Sequence, residues 1–265
     1  MSRFSAHIDG IALWSPTLPG WAAARSALRG EAPPADPPLP IPAPSQLPPA
    51  ERRRAPQTVA LSLAAAHEAV DACGHDSAQL LAVFASAHGD LPVIDELCRT
   101  LVHTPTLVSP TRFLHSIHNA PAGFWSMLTR NGQANTSVSG AAHSFAHGLL
   151  EALVQCEAEQ RPVLCVAYDT AAVGALTHTT RSQGALAVAL VLAPQAGPAR
   201  TARLDWQLRP GATEAPAARS PAAQALGRNA MAPALPLFEC LAAVQPAQLV
   251  WPLSAHQSLD LLIAP

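Results

Sequence analysis

SVSGAAHSFAHGLLEAL, residues 137–153, changes its periodicity part-way along. The small, β-favouring run NTSVS (135–139) leads into Gly140, Ala141 and Ala142, after which Phe145, Ala146, Leu149, Leu150 and Leu153 recur at helical spacing. The stretch reads as strand, tight turn and buried helix. The first N–H groups of a helix have no intrahelical acceptors, so their positive end stabilises an anion or a nucleophile set in front of it. A cysteine at this turn would be a reactive thiolate. The chain has Ala142 there, followed by His143.

The same pattern extends in both directions. FSAHIDGIALW (4–14) and LLAVFAS (80–86) read as strands, and so do VLCVAY (163–168), ALAVALVLAP (185–194) and ARLDWQL (202–208). Helices are expected over GWAAARSALRG (20–30, closed by Gly30), QTVALSLAAAHEAVDAC (57–73) and VIDELCRTLVH (93–103). Another is expected over IHNAPAGFWSML (117–128), opening near Asn119 with Pro121 in its first turn. Residues 33–56 hold ten prolines, which exclude helix and central strand and predict an extended surface strap. In the tail, GATEAPAARSPAAQALGRN reads as loop, LPLFECLAAV (235–244) as helix and LDLLIAP (259–265) as a last strand. Strands alternating with helices imply an α/β fold with a mostly parallel sheet covered on both faces. One domain over 1–265 accommodates all of this, with 195–265 as a C-terminal extension.

Composition limits the function classes. Of 265 residues, 49% are hydrophobic and 13% charged, which points to extensive buried surface, some of it covered by a partner. A net charge of −2 and a pI near 6.6 give no basic footprint for nucleic acid and no polybasic face for anionic lipid. Five scattered cysteines (Cys73, Cys98, Cys156, Cys165, Cys240) form no CxxC pair and read as buried apolar residues in a reducing compartment. No signal peptide and no membrane-spanning run is legible, so a cytoplasmic protein without a membrane span is expected.

Three stretches carry a family resemblance: HIDGIALWSP (7–16), the apolar helix after RRRAP, and SPTRFLHSIHNAPAGFWSMLTRNGQANTSVSGAA (109–142). Together they resemble the N-terminal half of a ketoacyl synthase of the thiolase superfamily. Asn119, Ala122 and Gly123 match that family's Asn-x-x-Ala-Gly helix. Val138 and Ala141 match the strand and turn that deliver its nucleophilic cysteine, and the cysteine position falls on Ala142. LCVAYDTAAVG (164–174) and RSQGALAVALVLAP (181–194) are similar to its later Gly-rich and apolar strands. The resemblance implies a thiolase-like fold corresponding to about one half of a synthase.

Decarboxylative condensation needs a thiolate to carry the acyl chain, with histidines to bind the malonyl unit and stabilise the enolate. The resemblance implies that both are missing here: the nucleophile position is degenerate at Ala142, and the histidines belong to a C-terminal half. A short chain of this kind resembles the chain-length factors paired with aryl polyene and xanthomonadin-type ketosynthases. That implies a protein non-catalytic by itself, without cofactor or metal, forming a heterodimer with a ketosynthase and meeting an acyl carrier protein through the complex. The residues implied at the interface and acyl tunnel are Phe113, His115, Ser116, His118, Asn119, Val138, His143 and Phe145.

Other readings attach to the same residues. His143 and His147 stand i,i+4, as two metal ligands would, but no HExxH and no third ligand accompany them, and packing is the expected role. Asn119 fits a helix cap, and Phe113, Phe124 and Trp125 fit a core. TSVSG (136–140) is one residue from a G-x-S-x-G elbow, so Ser139 serves as the nucleophile in an alternative hydrolase or acyltransferase reading. A homodimeric scaffold without an acyl pocket is the third.

Overall fold

A computed structural model describes residues 3–45 and 47–265. Along the chain run β1 (Phe4–Ser15), β2 (Leu18–Pro19), α1 (Trp21–Leu28), α2 (Pro49–Arg52), α3 (Gln57–Cys73), β3 (Leu81–Ala85), α4 (Leu91–His103), α5 (Pro110–Ser116) and α6 (Ala120–Thr129). There follow β4 (Asn135–Val138), α7 (Ser144–Glu159), β5 (Val163–Asp169), β6 (Leu186–Ala193), β7 (Ala202–Pro210), α8 (Pro221–Ala225), α9 (Leu235–Ala243), β8 (Ala247–Pro252) and β9 (Gln257–Ala264).

One sheet runs in the order β4-β3-β5-β6-β1-β7-β9-β8, with β2 added beside β1. The α/β layering expected from the alternation of strands and helices is present, but parallel pairing is confined to β4–β3–β5. The other pairings are antiparallel, so the sheet is mixed. Parallel neighbours require a crossover, usually helical. Helices α4 to α6 carry the chain from β3 to β4, and α7 carries it from β4 to β5. β5 returns to β6 through residues 170–185 without an α-helix, and β8 turns straight into β9.

The sheet separates two cores. Leu164, Val166 and Tyr168 of β5 face α3 and Trp125 of α6, whereas Val163, Cys165 and Ala167 face α7 and the cluster built with α1 and α9. Being buried on both faces is why this strand is apolar throughout. Two glycines set close approaches. A Cβ on Gly10 of β1 would collide with the Ala69 carbonyl of α3, and one on Gly148 of α7 with the Ala85 Cβ of β3. Asp90 caps two helices at once: one carboxylate oxygen accepts from Val93 N at the start of α4 (2.9 Å) and the other from Thr58 Oγ1 at the start of α3 (2.8 Å).

The Pro-rich strap is largely irregular, as expected, and Leu47 is buried within it. It nevertheless includes the one-turn helix α2, which starts on Pro49, where a missing N–H costs nothing. The structure also departs from expectation at Cys98, which is exposed on α4, although Cys156 and Cys165 are buried and burial pushes both thiols up to about 12.

Candidate functional site

The carboxyl ends of the three parallel strands gather at Ser86, Ser139 and Asp169, the place where an open α/β sheet presents its loops to a ligand. The turn from β4 into α7 is held by Ser144, whose Oγ accepts from Gly140 N (2.9 Å) and donates to the Ala141 carbonyl (2.8 Å). Ala141 has φ 50, a left-handed conformation that a residue with a Cβ adopts only under constraint. The turn is strained, and Ala142 beside it offers an exposed methyl group to a cavity of about 630 Å³.

Beneath the turn lies a polar cluster that sequence reasoning missed. The Asp169 carboxylate accepts from Ser86 Oγ (2.9 Å), Ala87 N (2.8 Å) and His88 N (3.3 Å), tying the end of β3 to the end of β5. Burial pushes this carboxyl up to about 7, while the bonds from Ala87, Ser86 and His88 pull the other way. Asn229 Nδ2 donates to the Asp169 backbone carbonyl (3.2 Å), and the His118 ring donates to the Ser86 carbonyl (2.9 Å). His88 Nε2 and Thr180 Oγ1 share a hydrogen bond of 2.7 Å, and burial lowers the His88 pKa. The signal that would have found Ser86 and Asp169 is a single polar residue closing each of two otherwise apolar strands, LAVFAS and VLCVAYD.

The residues expected at the interface and tunnel fall into four places. His118 joins the cluster just described. Phe113, His115, Ser116 and Asn119 lie on α5 or at the start of α6: Phe113 and Asn119 are exposed, Ser116 donates to the Phe113 carbonyl (2.8 Å), and His115 is buried against the Phe124 ring at 5.9 Å. Desolvation, with help from Arg112, lowers the His115 pKa. Asn119 occupies the cap position of α6 but makes no side-chain cap bond, contrary to the capping reading. Val138 is half-buried on β4, and His143 is half-buried at the cap position of α7. Phe145 stands apart from these. It packs edge-on against Trp251 at 5.7 Å in the core on the other side of the sheet, so it shares no wall with α5. Phe124 is half-buried beside His115, and Trp125 is fully buried against His67, as a core residue should be.

The alternative chemistry gains no geometry. Ser139 Oγ donates to the Ala87 carbonyl (3.3 Å), and among the described residues no histidine bonds to it. The His147 ring is engaged with the Leu253 carbonyl (2.8 Å), and among the described residues no third ligand stands with it and His143.

One strand and three helices around this site are poorly covered. β4 ends the sheet, with its outer edge free of any strand among the described residues. Among the described residues, seven of the eleven large hydrophobic side chains left exposed fall between residues 101 and 127, with Val102 76% and Leu107 71% exposed. Scattered exposed apolar residues are ordinary, but a concentration on adjoining helices is not.

The sequence profile described as "Beta-ketoacyl synthase, N-terminal domain" matches residues 21–256. The chain belongs to that family. Its fold recurs in solved structures of low identity. A chain of the complex of the ketosynthase ApeO with its chain length factor ApeC, from Xenorhabdus doucetiae, superposes with TM-score 0.73 at 21% identity, over 98% of this chain and 99% of that one. A chain of the ishigamide ketosynthase/chain length factor gives 0.71 at 17%, with the same coverage. A chain of the AntDE:AntF complex, a type II acyl-carrier protein with its ketosynthase bound to the hexaketide, gives 0.73 at 10%, over 99% of both. No curated protein sequence matches the chain. Among the described residues no helix is long and apolar enough to cross a membrane.

Proposed function

We propose that this chain is a non-catalytic, chain-length-factor-like partner of a ketosynthase in polyene or fatty-acyl biosynthesis, shaping the acyl tunnel across a heterodimer interface. The observation that carries the reading is the bare surface formed by the free edge of β4 and the exposed apolar side chains of α4, α5 and α6. Leaving such a surface in water is unfavourable, and pairing it with a similar surface removes both the apolar exposure and the unpaired edge. Support also comes from the turn, which retains its strain at Ala141 yet has no group at Ala142 able to hold an acyl chain. The solved neighbours include two ketosynthase/chain length factor pairs. The ketosynthase would supply the thiolate and meet the acyl carrier protein.

The test is co-expression with a ketosynthase and purification through a tag on one subunit. A one-to-one complex is expected. Val138→Asp sets an unpaired charge on β4, against the subunit's own core as well as beside the free edge, at a cost on the order of 3 kcal/mol shared between fold and contact. Undiminished co-purification of Val138→Asp would remove β4 from the interface. A stable homodimer that never exchanges with the synthase would favour the scaffold reading.

A further inference from the structure

Outside the surface of α4 to α6, four large hydrophobic side chains are left exposed among the described residues: Phe4, Leu39, Val154 and Val244. Two of them, Phe4 at the start of β1 and Val154 on α7, line one groove together with Ala158, Trp206 and Leu208. The groove encloses about 530 Å³, within the range of small-molecule sites. It is remote from the turn. β1 and β5 are both antiparallel to β6 and so run the same way, which puts Phe4 at the end of the sheet opposite Asp169. Among the described residues that line the groove, Glu157 is the only charged one, and the chain contains no lysine, so nothing there holds an anion. The Gln207 amide is turned to the other face of the sheet, where Nε2 donates to Asp260 (2.8 Å). Trp206 carries the unmet polar group. Among the described residues two buried indole N–H groups, at Trp125 and Trp206, have no acceptor, and an indole N–H can only donate. Trp125 is enclosed in the core against His67, whereas Trp206 lines the groove. The Phe4 ring lies against Trp206 at 4.9 Å, and its 46% exposure leaves it free to swing aside.

We infer that this groove binds an uncharged, flat, mostly apolar molecule carrying a carbonyl oxygen, its rings against Phe4, Val154 and Ala158 and its oxygen accepting from Trp206 Nε1. A flat ring offers the aromatic side chains an offset stack. An acceptor oxygen removes the cost of a buried donor left without a partner. The Glu157 carboxylate disfavours an acid, and the indole N–H, itself positive, disfavours a cation in the same place. Binding is non-covalent. The groove is built by this chain alone and lies away from β4 and α5, so the inference stands or falls separately from the pairing with a synthase.

Four naphthalenes of nearly one shape test it by NMR titration of the purified, isotope-labelled full chain: acetylnaphthalene, which is neutral with an acceptor, ethylnaphthalene, which lacks the oxygen, anionic naphthoate and cationic naphthylethylamine. Affinities are read from the backbone amide signals, and the contact from the indole N–H signal that disappears in Trp206→Phe. Acetylnaphthalene is expected to move that signal downfield with saturation, and to bind about tenfold more tightly than ethylnaphthalene. Naphthoate and naphthylethylamine should bind more weakly still. Trp206→Phe keeps an aromatic ring and should bring acetylnaphthalene down to the affinity of ethylnaphthalene. Ala158→Phe, at an exposed position of α7, should fill the groove and abolish binding of all four at an unchanged melting temperature. Glu157→Gln should strengthen naphthoate and leave acetylnaphthalene as it was. The inference is overturned if no saturable shift appears up to about 1 mM acetylnaphthalene, or if binding survives Ala158→Phe undiminished. An unmoved Trp206 signal, or ethylnaphthalene binding as tightly as acetylnaphthalene, would equally remove the hydrogen bond, and tighter binding of naphthoate or naphthylethylamine would remove the uncharged ligand.

Discussion

Ala142 lies in a strained turn and carries no nucleophile, and on the proposed non-catalytic reading a sulfur placed there should not by itself give a reaction. Ala142→Cys is expected to give an alkylatable thiol at an exposed position, but no chain-extended product when the variant is mixed with acyl- and malonyl-loaded carrier protein. A condensed product from this subunit alone would refute the non-catalytic reading. Asp169 makes a second residue-scale prediction, through pH. Its folded pKa, about 7, lies above the ordinary carboxyl value of 3.8. Between those values the folded state holds a proton that the unfolded state has lost, so stability falls as pH rises from about 4 to about 7 and then levels off. The melting temperature of the wild type should decline across that window by the equivalent of a few kcal/mol, and Asp169→Asn should flatten the decline. Parallel profiles for the two proteins would show that the carboxyl is not the source. Gly10→Ala tests packing: its methyl group meets the Ala69 carbonyl, and urea unfolding should show a loss of about 2–3 kcal/mol.

At the scale of elements, the exposed edge of β4 and the apolar faces of α4 to α6 behave as one surface. Leu107→Asp and Leu114→Asp, both at exposed positions, should leave the melting temperature of the isolated chain within about 1 °C-equivalent of wild type, under 0.5 kcal/mol, while weakening co-purification with the synthase. Equal recovery of the complex would place the interface elsewhere. Most elements were legible in the sequence because burial imposed their period: α3 runs from Gln57 to Cys73, as its apolar spacing indicates, and β5 and β6 are continuous apolar runs. Where burial is partial the signal failed. α5 leaves Phe113 and Leu114 in water, so its stripe does not mark a core-facing helix, and β8, AQLVWP, is a short strand ending in proline. Strand direction was also illegible, because side-chain alternation is the same in parallel and antiparallel pairing. The turn at 137–153 was readable as a site; its polar support from Ser86 and Asp169 was not, because those residues are far apart in sequence and meet only at the strand ends.

For the molecule as a whole, the sheet decides which residues can act together. Phe145 follows the turn in sequence but points into the core with Trp251, whereas Phe113 and His115 lie on α5, outside the layer containing α3 and α6. If the chain limits the length of an acyl chain growing on a partner, the exposed side chains of α5 are better placed to supply the wall than the core residue Phe145. Overlap with a bulky side chain is a steric limit, so its removal changes where elongation stops more than how tightly anything binds. Phe113 gives the clean experiment, since its ring is 59% exposed and its truncation leaves the fold of the subunit untouched. His115→Ala also removes the contact with Phe124 and so tests wall and packing together. In the reconstituted complex Phe113→Ala should shift carrier-bound products towards longer chains in the mass spectrum, at unchanged complex yield. Phe145→Ala should reduce stability by about 3–5 kcal/mol, the cost of a cavity beside Trp251, and leave product length alone. A lengthened product from Phe145→Ala would contradict this division of the molecule. Identical products from Phe113→Ala, His115→Ala and wild type, with the complexes intact, would leave the subunit a stabilising partner with no part in setting length.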